Sequence, residues 1–185
     1  MKVLALPGSL RAASINAAFC RAAARLAPSG LHITVADLGS LPLFNPDLEG
    51  APPFAVAQLR LAIGTAEALL IASPEYAHGV SGVMKNALDW LVSYEAFVAK
   101  PVAVINCSPR ARHGYESLLE ELKTMSAVLV EEASVTVPLL GECVTEDEMI
   151  STPAIALQIR AALIALNEFV SLGPRHGPSI PVGAQ

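Results

Sequence analysis

Residues 2–16, Lys2-Val3-Leu4-Ala5-Leu6-Pro7-Gly8-Ser9-Leu10-Arg11-Ala12-Ala13-Ser14-Ile15-Asn16, decide the fold. Val3 to Leu6 is a short apolar run without polar alternation, which suits a strand covered on both faces rather than on one. Pro7-Gly8 stops it. Ile15, Phe19, Ala22, Ala23 and Leu26 then recur at helical spacing through Asn16 to Leu26. A buried strand that passes through a short polar loop straight into a helix belongs in a parallel sheet with helices on both faces.

The same alternation continues downstream. Leu31 to Ala36 is β-branched and follows the Gly30 stop; Ala68 to Ala72 and Pro101 to Asn106 are two more apolar runs. Val128 to Val137 reads as a fifth strand with a break near Glu131-Glu132. Helical patterns lie between these runs: from Pro52 or Pro53 to about Thr65, Gly82 to Tyr94, and His113 to Ser126. A last helix starts at Thr152-Pro153, with Thr152 as N-cap and proline in the first turn. Leu38 to Pro53, with four prolines and two glycines, is a long loop. The expected domain is residues 1–172, and the Gly/Pro-rich residues 173–185 are expected to form a disordered tail. Right-handed crossovers leave few topologies for five such strands. The expectation is a three-layer α/β sandwich on a parallel sheet of order 2-1-3-4-5.

Composition sets the outer limits. Of 185 residues, 53% are hydrophobic and only 16% charged, with a net charge of -5. This argues against disorder, which needs high charge and low hydrophobicity. It also argues against nucleic-acid binding, since no Lys/Arg cluster is present to replace phosphate counterions. The mean hydropathy of +0.50 raises the question of a membrane. A spanning helix needs ~20 largely apolar residues. Pro153 to Val170 is broken by Gln158, Arg160, Asn167 and Glu168, and Leu59 to Ala72 by Arg60, Gly64 and Glu67. The N-terminal run is too short for a signal-peptide core. A soluble, cytoplasmic protein is expected, with its excess apolarity in a core or a subunit interface. Cys20, Cys107 and Cys143 are far apart and lack zinc-ligand or C-x-x-C spacing, so neither a disulfide nor a metal site is expected.

In open α/β sheets ligands bind beyond the carboxyl ends of the strands, where the strand order reverses; here that is between strands 1 and 3. The loops after those strands are the richest chemically. Gly8 to Asn16 brings hydroxyls from Ser9 and Ser14, the Arg11 guanidinium and the free N–H groups of a helix start. That set suits a phosphate dianion. It lacks the Gly-Lys-Ser/Thr of a Walker A loop, and Leu10 and Ala13 stand where a dinucleotide fingerprint has glycines. On residues alone the loop is either a phosphate cradle or an ordinary turn capped by Ser14.

The loop after strand 3 sharpens this. Gly8-Ser9-Leu10-Arg11 with Ser14 and Asn16, together with Pro74-Glu75-Tyr76 and Gly82-Val83-Met84-Lys85-Asn86-Ala87-Leu88-Asp89-Trp90, resembles the NADPH-dependent FMN reductase family. The resemblance covers roughly residues 1–172. It implies a flavodoxin-like fold and an FMN-dependent NAD(P)H oxidoreductase. The hydride would pass from NADPH or NADH to flavin N5, then to a quinone, azo compound, metal oxyanion or free flavin. By position, Ser9, Arg11, Ser14 and Asn16, with Leu10 and Ile15 between them, would hold the FMN phosphate. Pro74, Glu75, Tyr76 and Ala77 would lie along the isoalloxazine, and Ser108 would touch its other edge. The family forms dimers and often tetramers, so a homodimer or homotetramer is implied, with a small-molecule electron acceptor as partner. The sequence departs from the family where Asn-Gly often follows Pro-Glu-Tyr (here Ala77-His78), where Pro often precedes Gly82 (here Ser81), and in the loop Arg110 to Gly114.

No catalytic residue is expected on the chain, because a flavin carries its own chemistry and the protein supplies binding, orientation and electrostatics. The alternative reading is a flavodoxin-like electron carrier or a non-catalytic FMN-binding protein. Carriers are usually strongly acidic around the flavin, and -5 over 185 residues is mild.

Overall fold

A computed structural model describes residues 1–139 and 143–173. In chain order the elements are β1 (Lys2–Pro7), α1 (Ile15–Leu26), β2 (His32–Val35), α2 (Phe54–Thr65), β3 (Ala68–Ala72), the short strands β4 (Glu75–Tyr76) and β5 (Gly79–Val80), α3 (Gly82–Asp89), β6 (Pro101–Ile105), α4 (Arg112–Thr124), β7 (Val128–Leu129), α5 (Glu146–Ser151) and α6 (Pro153–Leu172). The main sheet is five-stranded and parallel, in the order β2-β1-β3-β6-β7. Once the β4–β5 hairpin is set aside, this is the expected 2-1-3-4-5 layout, and the fold is flavodoxin-like.

The non-alternating apolar runs are explained by burial on both faces. In β1 and β3 successive side chains point to opposite layers. Val3, Ala5, Leu70, Ala72, Ala103 and Ile105 pack with Phe19 of α1 and Ile159 and Leu163 of α6. Leu4, Leu6, Leu69, Ile71, Val102 and Val104 pack with Leu59 and Ile63 of α2, Met84 and Leu88 of α3, and Leu118 and Leu122 of α4.

The fifth strand is shorter than its sequence suggests. Only Val128–Leu129 form a ladder with β6; a 3-10 turn at Glu131–Ala133 breaks the run, and pairing resumes as a single bridge between Asn106 and Thr136. Helix α3 also stops at Asp89, short of Tyr94. The Trp90 indole N–H and the Asn86 amide both donate to the Pro42 carbonyl, at 2.8 and 3.0 Å, and Asn86 Oδ1 accepts the Phe44 N–H at 2.8 Å. The Asn86–Trp90 part of the motif therefore anchors the long loop. Phe44 also meets the Trp90 ring edge-on at 5.0 Å.

Among the described residues α6 alone is long and apolar enough to cross a membrane. It buries Ile155, Ile159, Ala162, Leu163 and Leu166 in the domain core. Thr152 stands at its N-cap and Pro153 opens it, but the Thr152 side chain does not cap the helix. Leu157 and Ile164 face outward, exposed. The expected tail lies outside the described residues, apart from Gly173.

Candidate functional site

Three loops leave the carboxyl ends of β1, β3 and β6 side by side. The first is drawn against the second by Gly8. Its N–H donates to the Ala72 carbonyl at 2.8 Å, and its carbonyl accepts the Ser81 hydroxyl at 2.6 Å. A Cβ on Gly8 would lie 2.5 Å from Ser73 Oγ and 2.8 Å from Ser73 Cβ, so only glycine permits this approach. Ser81 is 1% exposed and also accepts the Met84 N–H, capping α3. Here serine does what a proline would not: it ties the loop after β1 to the helix after β5.

Beyond Gly8 the Arg11 N–H donates to Ser9 Oγ at 3.3 Å, and the Ser14 N–H to the Arg11 carbonyl at 3.0 Å. Ser14 is the N-cap of α1, with extended backbone and Oγ accepting the Ala17 N–H at 3.2 Å. The Ile15 and Asn16 N–H groups have no acceptor within the helix and point past its start, where the dipole is positive. Leu10 and Arg11 are exposed, and Arg11 forms no ion pair among the described residues.

The second loop is a hairpin. Ala77 (φ 50°) and His78 (φ 58°) both occupy left-handed backbone, as the tight turn joining β4 to β5 requires. Alanine is poorly suited to that region, and neither residue matches the Asn-Gly that such turns prefer. The Glu75 carboxylate, whose side chain is 11% exposed, accepts the Gly114 N–H at 2.7 Å and meets His78 Nδ1 at 3.1 Å. The Gly114 N–H, with help from His78, holds its pKa below the usual carboxylate value.

The third loop is organised by Asn106, 7% exposed. Its Oδ1 accepts the Ser108 N–H at 3.0 Å and its Nδ2 reaches the Ala111 carbonyl at 3.4 Å. Its backbone bonds to Val135 and Val137.

Together the loops enclose a cavity of about 340 Å³, lined by Ile15, Asn16, Ser73, Pro74, Glu75, Asn106, Cys107, Ser108, Arg110 and Ala111. Roughly 300–1,000 Å³ is usual for small-molecule sites. Asn16 is 8% exposed, and its Oδ1 is buried without a hydrogen-bond partner among the described residues. Such a group costs stability unless a ligand donor meets it. Burial pushes the Cys107 thiol well above its ordinary pKa, so it stays protonated and is no nucleophile.

Of the residues singled out in the sequence, Ile15, Asn16, Pro74, Glu75 and Ser108 line this cavity. Ser9, Leu10, Arg11 and Ser14 form the loop that leads into it. Tyr76 and Ala77 sit on the hairpin, outside the lining, and Tyr76 is exposed. Ser73 and Asn106 extend the set. Each is the polar residue directly after a fully apolar strand, and that is the signal by which they can be found.

The sequence profile of NADPH-dependent FMN reductases matches residues 1–139. A NAD(P)H-dependent FMN reductase of Pseudomonas aeruginosa is 43% identical over 112 residues, 58% of this chain and 60% of that protein. A quinone reductase of Pseudomonas putida is 39% identical over 117 residues, 61% of this chain and 63% of that protein. The matches thus span less than two thirds of these relatives. The solved structure of FerB, a flavoenzyme NAD(P)H:(acceptor) oxidoreductase from Paracoccus denitrificans, superposes with a TM-score of 0.82 at 26% identity, covering 92% of this chain and 97% of that one.

Proposed function

The chain belongs to the NADPH-dependent FMN reductase family, and on that premise we propose that it is an FMN-dependent NAD(P)H oxidoreductase. Its acceptor would be a small molecule: a quinone, azo compound, metal oxyanion or free flavin. The observation that carries this reading is the cavity between the loops after β1, β3 and β6, with the unpartnered Asn16 Oδ1 buried in its wall.

The residues present suit FMN. One end offers a guanidinium with no ion pair among the described residues, a serine hydroxyl and first-turn N–H groups, a donor set for a phosphate. Arg11, Ser9 and the N-terminus of α1 would hold it, with Ser14 keeping that helix start in shape and Leu10 and Ile15 flanking it. The Asn16 acceptor calls for a donor, which a ribityl hydroxyl provides. The other end mixes apolar walls at Pro74 and Ala111 with polar edges from the Glu75 backbone and Ser108, as a flat ring with a hydrogen-bonding rim requires; Tyr76 and Ala77 extend this wall as the hairpin. Bound FMN supplies the hydride relay between nicotinamide and acceptor. The chain's part is to orient the two reactants at one cavity in turn and to keep water from the ring.

The family relation also favours a cytoplasmic homodimer or homotetramer. Exposed Leu157, Ile164 and Leu172 on α6, and Phe54 and Leu61 on α2, are apolar surface suited to subunit contact. Anaerobic titration of the FMN-loaded protein with NADPH and NADH tests the activity. Rapid bleaching of the visible flavin bands is expected; a flavin that stays oxidised would point to an electron carrier instead.

A further inference from the structure

Helix α4 lacks a cap of its own. Ala111 stands at its N-cap and offers no side-chain acceptor. The missing acceptor comes from another element: Glu75, on β4, takes the Gly114 N–H in the first turn of α4. A carboxylate at that end of a helix is also favoured by the helix dipole. The approach is close enough to exclude a side chain at position 114, where a Cβ would lie 2.8 Å from the Gly79 carbonyl and 3.0 Å from Glu75 Cβ and Cγ. Pro74-Glu75, at the start of β4, and Arg110-Ala111, just before α4, both line the cavity.

From this we infer that Glu75 is a positioning residue, whose carboxylate fixes the two lining segments relative to each other by capping α4 from β4. Its side chain is committed to Gly114 and His78, so it meets a ligand only through the helix it holds. The hairpin turn serves the same end. His78 sits in left-handed backbone, where its Nδ1 reaches Glu75 and its ring meets His113 of α4 edge-on at 4.8 Å. The imidazoles thus join the hairpin to α4 a second time, beside the carboxylate.

The inference rests on the cavity being the flavin site, and its test separates the two. Hydrogen exchange at the Gly114 amide is measured in the FMN-free protein, and FMN affinity by fluorescence quenching, for Glu75→Gln, Glu75→Asp and Glu75→Ala. Glutamine keeps an acceptor of the right reach and a donor for His78; aspartate keeps the charge but falls short by one methylene. Gly114 exchange should quicken in Glu75→Asp and Glu75→Ala and stay slow in Glu75→Gln. FMN affinity should fall roughly tenfold or more in the first two, by analogy with the loss of a partner that orients a metal ligand, and be largely rescued by glutamine. Aspartate behaving like wild type while glutamine behaves like alanine would make charge the determinant and overturn the inference, as would Gly114 exchange unchanged in Glu75→Ala. Wild-type protein that takes up no FMN would overturn the flavin reading and with it any role of Glu75 toward that ligand, while the exchange data would still report on the cap.

Discussion

Replacing Gly8 by alanine tests how the first two loops of the site are joined. The new Cβ would stand 2.5 Å from Ser73 Oγ, 2.8 Å from Ser73 Cβ and 3.1 Å from Ser73 Cα. The hydroxyl could rotate away, but it bonds to Ser81 Oγ at 3.2 Å and to the Pro74 carbonyl at 3.3 Å. The β-carbon cannot rotate. Gly8 cannot retreat easily either, since its N–H is held by Ala72 and its carbonyl by Ser81. Overpacking of this kind costs about 1–3 kcal/mol. Gly8 has no positive φ, so alanine also restricts the unfolded chain, which returns roughly 0.4–1 kcal/mol. The expected net loss is about 1–2 kcal/mol, read by urea unfolding of the FMN-free protein as a lower midpoint at unchanged slope. Ser73→Gly removes the two nearest atoms, so the double variant should show a favourable coupling of roughly 0.5–3 kcal/mol. Gly8→Ala as stable as wild type, or a loss that Ser73→Gly does not relieve, would refute this packing.

Other expectations concern single groups. Asn16→Leu removes a buried acceptor without a partner, so it should leave the FMN-free protein equally or more stable in thermal melts while weakening FMN binding; a clear loss of stability would show that Oδ1 is satisfied in the free protein. Ala77→Asn puts a preferred residue into the positive-φ turn and leaves the His78 contacts in place, so its melting temperature should rise; an unchanged or lower value would contradict strain at that position. Cys20, whose thiol burial pushes up to about 12, and Cys107 should resist thiol reagents at pH 8 until the protein unfolds; modification at native rates would contradict their burial. Thr145 and Glu148 form a capping box that holds the Glu148 carboxyl below its usual pKa. Its contribution is therefore present above the unfolded-state pKa and lost as pH falls through the folded one, so the stability gap between wild type and Glu148→Gln should close in acid.

Most of the fold is legible because burial on both faces leaves a plain mark. Ala68 to Ala72 contains no polar residue, and the strand occupies those residues and no others. The weaker edge is harder to read. Val128 to Val137 is β-branched throughout much of its length, yet only its first two residues join the ladder, because tertiary packing of Ala133 and Val137 overrides strand propensity. The β4–β5 hairpin is invisible to turn chemistry, since Ala77-His78 lacks the Asn-Gly signal that such turns usually carry. Helix α5 is missed for its brevity, although Thr145 and Glu148 spell a capping box. In the site, hydroxyls and the guanidinium after β1 are legible as a donor set. That Glu75 caps a helix 39 residues away is a contact between elements distant in sequence, and no local pattern encodes it.

The most direct test of the flavin site is a crystal structure of the protein with FMN. The expected result is a ring in the cavity between Pro74 and Ser108, with the phosphate at Ser9, Arg11 and the start of α1. Density for FMN elsewhere on the surface, or an empty cavity under saturating FMN, would contradict it.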